Sequence, residues 1–315
     1  MEKAIKTYFL PLLCLILVLG GGVFLGAENF NFKEMVSSGV AELRFYRMLS
    51  ALFIGGALSL SGMVFQAVLR NPLAEPYTLG VSAGAGVGAA ACFIAGLHAL
   101  TIYAVPFSAL AGAVLTLLLV LFISKAGGGE RLLLSGVIAG TICSSVLMFL
   151  LSIANSDEVA ASSWWLLGDL QSVNEKLLFP MMGITLAILL YLRWSANELD
   201  LLALGEKEAF FLGVNVRRMR LVMVICASTL AAVSVSLAGA VGFCGLVVPH
   251  AVRRLYSSSH RKNLFPMFIW GAVFLMVCDI LSRIVLPGQE LPVGVVTSIT
   301  GGPVFLWILN RKAVR

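Results

Sequence analysis

The sequence predicts an all-α integral membrane protein with about ten transmembrane helices, in a single domain that spans residues 1–315. Of the 315 residues, 59% are hydrophobic and only 12% are charged, whereas a soluble domain carries about 25% charged residues. The mean hydropathy is +0.98. A backbone in hydrocarbon must satisfy its hydrogen bonds internally, so uncharged runs of about 20 residues predict helices. This composition excludes a water-soluble fold.

The uncharged runs give the helices in chain order. The run 76–124 is long enough for two helices with a turn near 98–106. The run 221–252 predicts one full helix and one broken helix, because it contains several glycines and Pro249. The first run follows Lys3 and Lys6; we expect a retained helix there, with a cleaved signal peptide as the alternative. The predicted spans occupy the runs 7–27, 48–69, 76–124, 132–156, 177–192, 221–252, 263–286 and 291–310.

The distribution of positive charge predicts that both termini face the cytoplasm. Short loops rich in lysine and arginine stay on the cytoplasmic side of a membrane. With ten spans, seventeen of the 22 lysines and arginines fall on that side. The five that remain outside are Lys33, Arg44, Arg47, Lys176 and Arg283.

The predicted spans contain almost no ionisable residues, which bears on whether an ion gradient could drive this protein. Ion-coupled carriers need such residues within the membrane. Asp279 and Arg283 are four residues apart, and an intrahelical ion pair is the simplest interpretation of them. Gly80, Gly84 and Gly88 have a spacing typical of close helix packing, within a subunit, at a subunit interface or along a pore lining. The scarcity of ionisable residues favours a transport subunit that takes its energy from another chain. An ion-coupled secondary transporter and a structural membrane protein are the alternatives.

The sequence predicts no catalytic, cofactor or metal site. A phosphate-binding loop of the form G-x-x-x-x-G-K-[ST] is absent, so any ATP hydrolysis would belong to a partner chain. There are only three histidines, and the six cysteines lack the spacing of metal ligands. The net charge of +6 is dispersed between apolar runs, which argues against nucleic-acid binding.

The loop 194–220 is the longest on the predicted cytoplasmic side. It contains a short apolar segment between Gly205 and Gly213, and glycines at such positions delimit helices. We therefore expect a short helix outside the membrane. Such a helix lies in the membrane interface or docks a partner protein, and composition does not decide between the two.

Four blocks of sequence resemble the FecCD-type permeases, which import iron-siderophores, haem and vitamin B12. They are RNPLAEP at 70–76 with LGVS at 79–82, LALGE at 202–206 with LG at 212–213, GFCGLVVPH at 242–250, and ELPVG at 290–294 with GGPVF at 301–305. The blocks occur in the family's order and cover nearly the whole chain. They are specific for the family, but importers of different chelates share them.

The resemblance implies the type II ABC importer permease fold and a multi-pass location in the bacterial inner membrane. It implies a homodimer, surrounded by lipid, that assembles with two ATP-binding cassette ATPase subunits. An extracytoplasmic substrate-binding protein would deliver a metal chelate, with an iron-siderophore as the first expectation and haem or cobalamin as alternatives. No cofactor is implied.

The resemblance also implies roles for three sets of residues. Outer arginines would dock carboxylates of the binding protein, the inner loop would contact the ATPase, and a broken eighth helix would take part in gating. For Pro249 and His250, we favour a kink and a helix-end role over an axial haem contact. The matching residues are Arg44, Arg47 and Arg283 for binding-protein docking; Leu204, Gly205, Glu206, Ala209, Phe210, Phe211, Leu212 and Gly213 for ATPase coupling; and Gly242, Gly245, Pro249 and His250 for the helix break.

Overall fold

A computed structural model describes residues 9–25, 39–124, 128–171, 173–257, 259–286 and 288–310. Within these ranges every regular element is helical, which confirms the predicted fold class. Two 3₁₀ turns, Pro76–Leu79 and Leu97–Ala99, flank the third α-helix. The α-helices are α1 (Leu10–Phe24), α2 (Val40–Val68), α3 (Val81–Ile94), α4 (Ala104–Ser124), α5 (Gly129–Ile153), α6 (Ser156–Leu166), α7 (Glu175–Trp194), α8 (Ala196–Leu204), α9 (Glu206–Phe211), α10 (Val216–Ala238), α11 (Cys244–Leu255), α12 (His260–Ile284) and α13 (Val293–Asn310).

Six of the described helices, α2, α4, α5, α7, α10 and α12, are long and apolar enough to cross a membrane. Three shorter apolar helices, α1, α3 and α13, accompany them. The chain is therefore a multi-pass membrane protein. The count of ten spans and the sides of the termini stay predictions, and the terminal lysines and arginines lie outside the described residues.

Helix α2 lies at the centre of the bundle. From Met48 to Val68 it is almost entirely buried, and it packs against α1, α7, α10, α11 and α12. Ser59 Oγ donates to the carbonyl oxygen of Met267 in α12 at 2.8 Å, and Ser61 Oγ bonds a carbonyl of α10 at 2.7 Å. Hydrogen bonds between membrane helices contribute about 0.6 kcal/mol each. Helix α5, by contrast, leaves most of its apolar side chains exposed at the surface of the subunit.

Glycines bring α3 and α4 into close contact. A Cβ atom on Gly84 would lie 2.6 Å from the carbonyl oxygen of Gly112, and one on Gly88 would lie 2.0 Å from that of Ser108. Any larger residue would force the two helices apart. Gly84 and Gly88 therefore serve packing inside the subunit, which is the first of the three interpretations of this pattern.

Contacts between helix termini define two ends of the bundle. The C-termini of α1 and α12 meet the N-terminus of α2 at one end, which we call the arginine end because Arg44, Arg47 and Arg283 lie there. The N-terminus of α12 meets α8 at the opposite end. We call this the α9 end, since α9 follows α8 there.

Candidate docking surfaces and helix break

A cavity of about 820 Å³ opens at the arginine end. Its wall is built by the start of α2, the loop before α7 and the segment between α12 and α13. All three arginines predicted to dock a binding protein line this cavity, although Arg283 is far from the other two in sequence. The fold thus brings together Arg44, Arg47 and Arg283.

Two of these arginines bind the C-terminus of α1. The last carbonyl groups of a helix lack partners within the helix, and the helix dipole favours cations there. Arg283 donates to the carbonyl oxygens of Gly22 at 3.0 Å and Leu25 at 2.9 Å. Arg44 donates to that of Phe24 at 3.2 Å. These bonds keep Arg283 only 2% exposed, whereas Arg44 stays partly exposed at the cavity.

Arg47 is the centre of an ion-pair network. Its Nε lies 2.7 Å from Asp279 Oδ1, and one terminal nitrogen lies 2.6 Å from Glu290 Oε2. Asp279 also pairs with Arg283 at 3.1 Å, which confirms the predicted intrahelical pair. Asp279 is completely buried, so its charge requires these guanidinium partners. Glu290 could not be predicted as a partner from the sequence, because that pairing depends on the fold of the segment between α12 and α13.

The α9 end carries an exposed apolar surface. Helix α9 lies between Gly205 and Gly213, so the expected short helix is present, and Gly213 has a φ of +85° that favours glycine. The side chain of Phe210 is 68% exposed, and that of Phe211 is 84% exposed. We call the exposed residues the α9 patch; it consists of Leu204, Phe210, Phe211 and Leu212.

The α9 patch has a fixed orientation on the bundle. Ala209, on the opposite face of α9, is fully buried. Glu206 pairs with Arg220 at 2.5 Å, which links α9 to the first turns of α10. Asn215 caps α10 by accepting the backbone N–H of Arg218 at 3.1 Å. A force on the patch would therefore act on α10.

A carboxylate that the sequence analysis missed ties α8 to α12. Asp200 accepts the backbone N–H of His260 at 2.7 Å and the hydroxyl of Ser259 at 2.9 Å, and it lies 2.5 Å from His260 Nδ1. Burial by itself would raise the pKa of Asp200, but the hydrogen bonds from His260 and Ser259 outweigh it and hold this pKa below its ordinary value. No local pattern could reveal this cap, because 60 residues separate its partners.

The run 221–252, predicted to hold one full and one broken helix, contains most of the long helix α10 and then the short helix α11. Between them, residues 239–243 are not helical, and Gly239 and Phe243 have φ angles of +66° and +64°. The Tyr77 hydroxyl donates to the carbonyl oxygen of Val241 at 2.5 Å and accepts its N–H at 2.8 Å. Non-helical backbone at membrane depth requires such partners.

The four residues predicted for the break occupy different places. Gly242 lies in the non-helical segment, whereas Gly245, Pro249 and His250 lie inside α11, so the break is upstream of the proline. Pro249 has no N–H for the carbonyl group of Gly245. Gln66 of α2 donates to that carbonyl instead, at 3.2 Å. Helix α11 therefore continues past Pro249.

His250 is buried in the interior of the subunit. Its ring packs edge-on against Phe305 of α13, with the centroids 5.9 Å apart. The contact gives His250 a packing function between α11 and α13. Among the residues that the structure describes, no three His, Cys, Asp or Glu side chains are grouped so that they could hold a metal ion.

Comparisons with known proteins agree with this architecture. A sequence profile of the FecCD transport family matches residues 11–311. The vitamin B12 import system permease protein BtuC of Citrobacter koseri is 38% identical over 304 residues, which cover 96% of this chain and 92% of that protein. BtuC of Salmonella typhi is 38% identical over 275 residues, with coverage of 87% and 84%.

Solved structures show the same fold. A metal-chelate type ABC transporter in an inward-facing conformation matches with a TM-score of 0.89 and 28% identity, over 96% of this chain and 98% of that one. PsaBC of Streptococcus pneumoniae in complex with Fab matches in fold, with a TM-score of 0.63 and 19% identity over 88% and 95% of the two chains. The profile match and the BtuC relatives together show that this chain belongs to the FecCD transport family.

Proposed function

We propose that the chain transports a metal chelate across a bacterial inner membrane, as a homodimer assembled with two ATPase subunits and an extracytoplasmic substrate-binding protein. Family membership makes it a non-catalytic permease subunit of an ABC importer, so ATP hydrolysis belongs to a partner chain. The proposal rests on one observation: an arginine-lined cavity and an exposed aromatic patch lie at opposite ends of one bundle.

The proposed cargo is a metal chelate of the cobalamin, ferric-siderophore or haem type. An iron-siderophore is the first expectation from the sequence motifs, whereas the names of the relatives favour cobalamin. Proteoliposomes that contain the permease, its ATPase and its binding protein would be supplied with cyanocobalamin, a ferric siderophore or haem. ATP-dependent uptake that ionophores do not abolish supports the importer. Uptake driven by an ion gradient, without ATP, would support the secondary transporter instead.

The proposed binding-protein site is the cavity lined by Arg44, Arg47 and Arg283. Acidic residues of a docked protein would reach Arg44 at the cavity surface, with Arg47 and Arg283 behind it. Reversal of the charge at Arg47 or Arg283 would remove one of the two guanidinium groups that neutralise the buried Asp279 and place a negative charge beside it, so those variants would confuse docking with folding.

The docking test therefore reverses Arg44 alone, with the melting temperature as a check on folding, because Arg44 also donates to the carbonyl oxygen of Phe24. Lys176 at the start of α7 is the matched control, because it is exposed at the same end and undergoes the same change of charge. We expect Arg44→Glu to weaken binding of the substrate-binding protein most strongly at low salt, where charge interactions are least screened. Lys176→Glu should have a smaller effect. Equal effects of the two variants would contradict docking at this cavity.

The proposed ATPase site is the α9 patch. Exposed aromatic side chains on a fixed short helix suit insertion into a groove of a partner protein, and Phe210 and Phe211 do not contribute to the buried core. We expect Phe210→Asp with Phe211→Asp to abolish ATPase binding and ATP-driven uptake without lowering the melting temperature. Leu255→Asp is the control, since Leu255 is 66% exposed near the same end. Normal uptake in the double variant would rule out the patch as the coupling site.

A further inference from the structure

Glu290 lies where three parts of the chain meet at the arginine end. Its Oε2 accepts hydrogen bonds from Arg47 of α2 and from Gln171 in the loop after α6, each at 2.6 Å. The next residue, Leu291, is fixed by its N–H to the carbonyl oxygen of Ser282 in α12 at 2.9 Å. A single carboxylate oxygen thus connects α2, the loop after α6 and the segment before α13.

Glu290 and Gln171 are the two residues that belong to the linings of two cavities. Both residues line the cavity of about 820 Å³ at the arginine end, and both line a second cavity of about 350 Å³. The second cavity reaches Ala238, the last residue of α10 before the helix break. Its apolar lining consists of Phe93, Trp164, Trp165, Ala238, Leu291 and Pro292. Separation of Glu290 from Gln171 would join the two spaces.

Of the two carboxylates that bind Arg47, Glu290 is the one that can exchange. Asp279 is completely buried and also pairs with Arg283, whereas the Glu290 side chain is 30% exposed. Glu290 is thus the more water-accessible of the two carboxylates, and water can solvate it once it leaves Arg47. An incoming carboxylate can therefore replace Glu290 at Arg47 without leaving a buried charge unpaired.

We propose that Glu290 occupies the place of the binding protein's carboxylate in the free permease. When the binding protein docks, one of its acidic side chains takes over the bond to Arg47. Glu290 is released from Arg47, its contact with Gln171 is lost, and the outer cavity becomes continuous with the cavity beside the helix break. Docking and opening are then coupled through Arg47. This inference rests on the proposed docking of a binding protein at the arginine end.

The first experiment measures affinity for the substrate-binding protein of the same transport system. Glu290→Gln removes the competing charge, while Arg47 keeps Asp279, so the variant is expected to fold. Glu175→Gln is the matched control, because it removes the same charge from the wall of the same cavity. We expect Glu290→Gln to tighten binding about five-fold relative to the control. If Glu290→Gln does not assemble, Glu290→Asp, which keeps the charge but shortens the side chain, is measured in its place.

The second experiment compares permease variants first without binding protein and then with it. A cysteine at position 238, introduced by Ala238→Cys, would be labelled with a membrane-impermeant thiosulfonate, and the rate would be compared with the unmodified chain. We expect labelling to accelerate about five-fold when Glu290→Gln is added and to change little when Glu175→Gln is added. Binding protein added to the Ala238→Cys variant should produce the same acceleration.

The outcomes separate this inference from the proposed function. Equal effects of Glu290→Gln and Glu175→Gln would mean that only the total charge of the cavity matters, and would overturn the inference. Weaker binding, or unchanged labelling, in Glu290→Gln would mean that Glu290 only holds Arg47 in position. Either result would also overturn the inference. If the unmodified permease fails to bind the binding protein at all, the docking proposal fails, and the labelling rates still decide whether Glu290 and Gln171 separate the two cavities.

Discussion

Replacement of Tyr77 by phenylalanine removes one oxygen atom and leaves two backbone groups of Val241 without their partner. The hydroxyl is 2.5 Å from the carbonyl oxygen of Val241 and 2.8 Å from its nitrogen. Val241 is only 2% exposed, so water cannot take the place of the lost group. A buried donor or acceptor without a partner costs about 1–3 kcal/mol. The two groups together predict a loss of about 2–6 kcal/mol in the free energy of unfolding.

Thermal unfolding in detergent would measure this loss. Tyr103→Phe is the matched control, because it makes the same chemical change in the turn before α4, and the Tyr103 hydroxyl has no hydrogen-bond partner among the described residues. We expect the melting temperature of Tyr77→Phe to fall by several degrees, and that of Tyr103→Phe to stay at the value of the unmodified chain. ATP-driven uptake should fall in Tyr77→Phe alone, because the non-helical segment between α10 and α11 loses its fixed shape.

Equal melting temperatures for Tyr77→Phe and Tyr103→Phe would refute this reasoning. That result would mean that the Val241 backbone finds other partners without cost. A lower melting temperature with unchanged uptake would separate the two parts of the prediction, since the hydroxyl would then stabilise the fold without contributing to transport.

Two further predictions concern helix packing and pH. Gly62→Ala should lower the melting temperature strongly, because the added Cβ would lie 1.8 Å from the carbonyl oxygen of Gly245. Gly183→Ala is the control, since its Cβ would meet nothing within 4 Å and the change should be neutral or stabilising. Equal melting temperatures for the two variants would contradict the packing of α2 on α11. The pKa of Asp200 is lower in the folded protein than in the unfolded chain. The charged Asp200 therefore stabilises the fold above the unfolded-state pKa of about 3.9, and this contribution is lost as the pH falls through the folded-state pKa. The melting temperature of Asp200→Asn should therefore lie below that of the unmodified chain at pH 7 and approach it as the pH falls below about 4. A difference that is constant between pH 7 and pH 3 would show that Asp200 does not act through its charge.

Much of the architecture follows from local composition. The uncharged runs predict the long helices, because a helix is the arrangement that satisfies the backbone of a continuous chain in lipid. The run 221–252 predicted a full helix and a broken one, because it is too short for two complete spans and contains several glycines and a proline. Gly205 and Gly213 delimit α9 through local backbone preferences, so the short helix was also predictable.

Three-dimensional packing decided the contacts that give these helices their roles. No break occurs at Pro249, because Gln66 of α2 satisfies the carbonyl that the proline leaves free. The break lies at 239–243, where Tyr77 bonds the Val241 backbone. Arg47, Asp279 and Glu290 were each visible as charges, but their pairing joins positions more than 200 residues apart. Sequence by itself determined which segments enter the membrane, because burial in lipid depends on each segment's own composition. Only the tertiary structure decided which polar groups meet, because a buried charge or carbonyl accepts whichever partner the fold brings within hydrogen-bond distance.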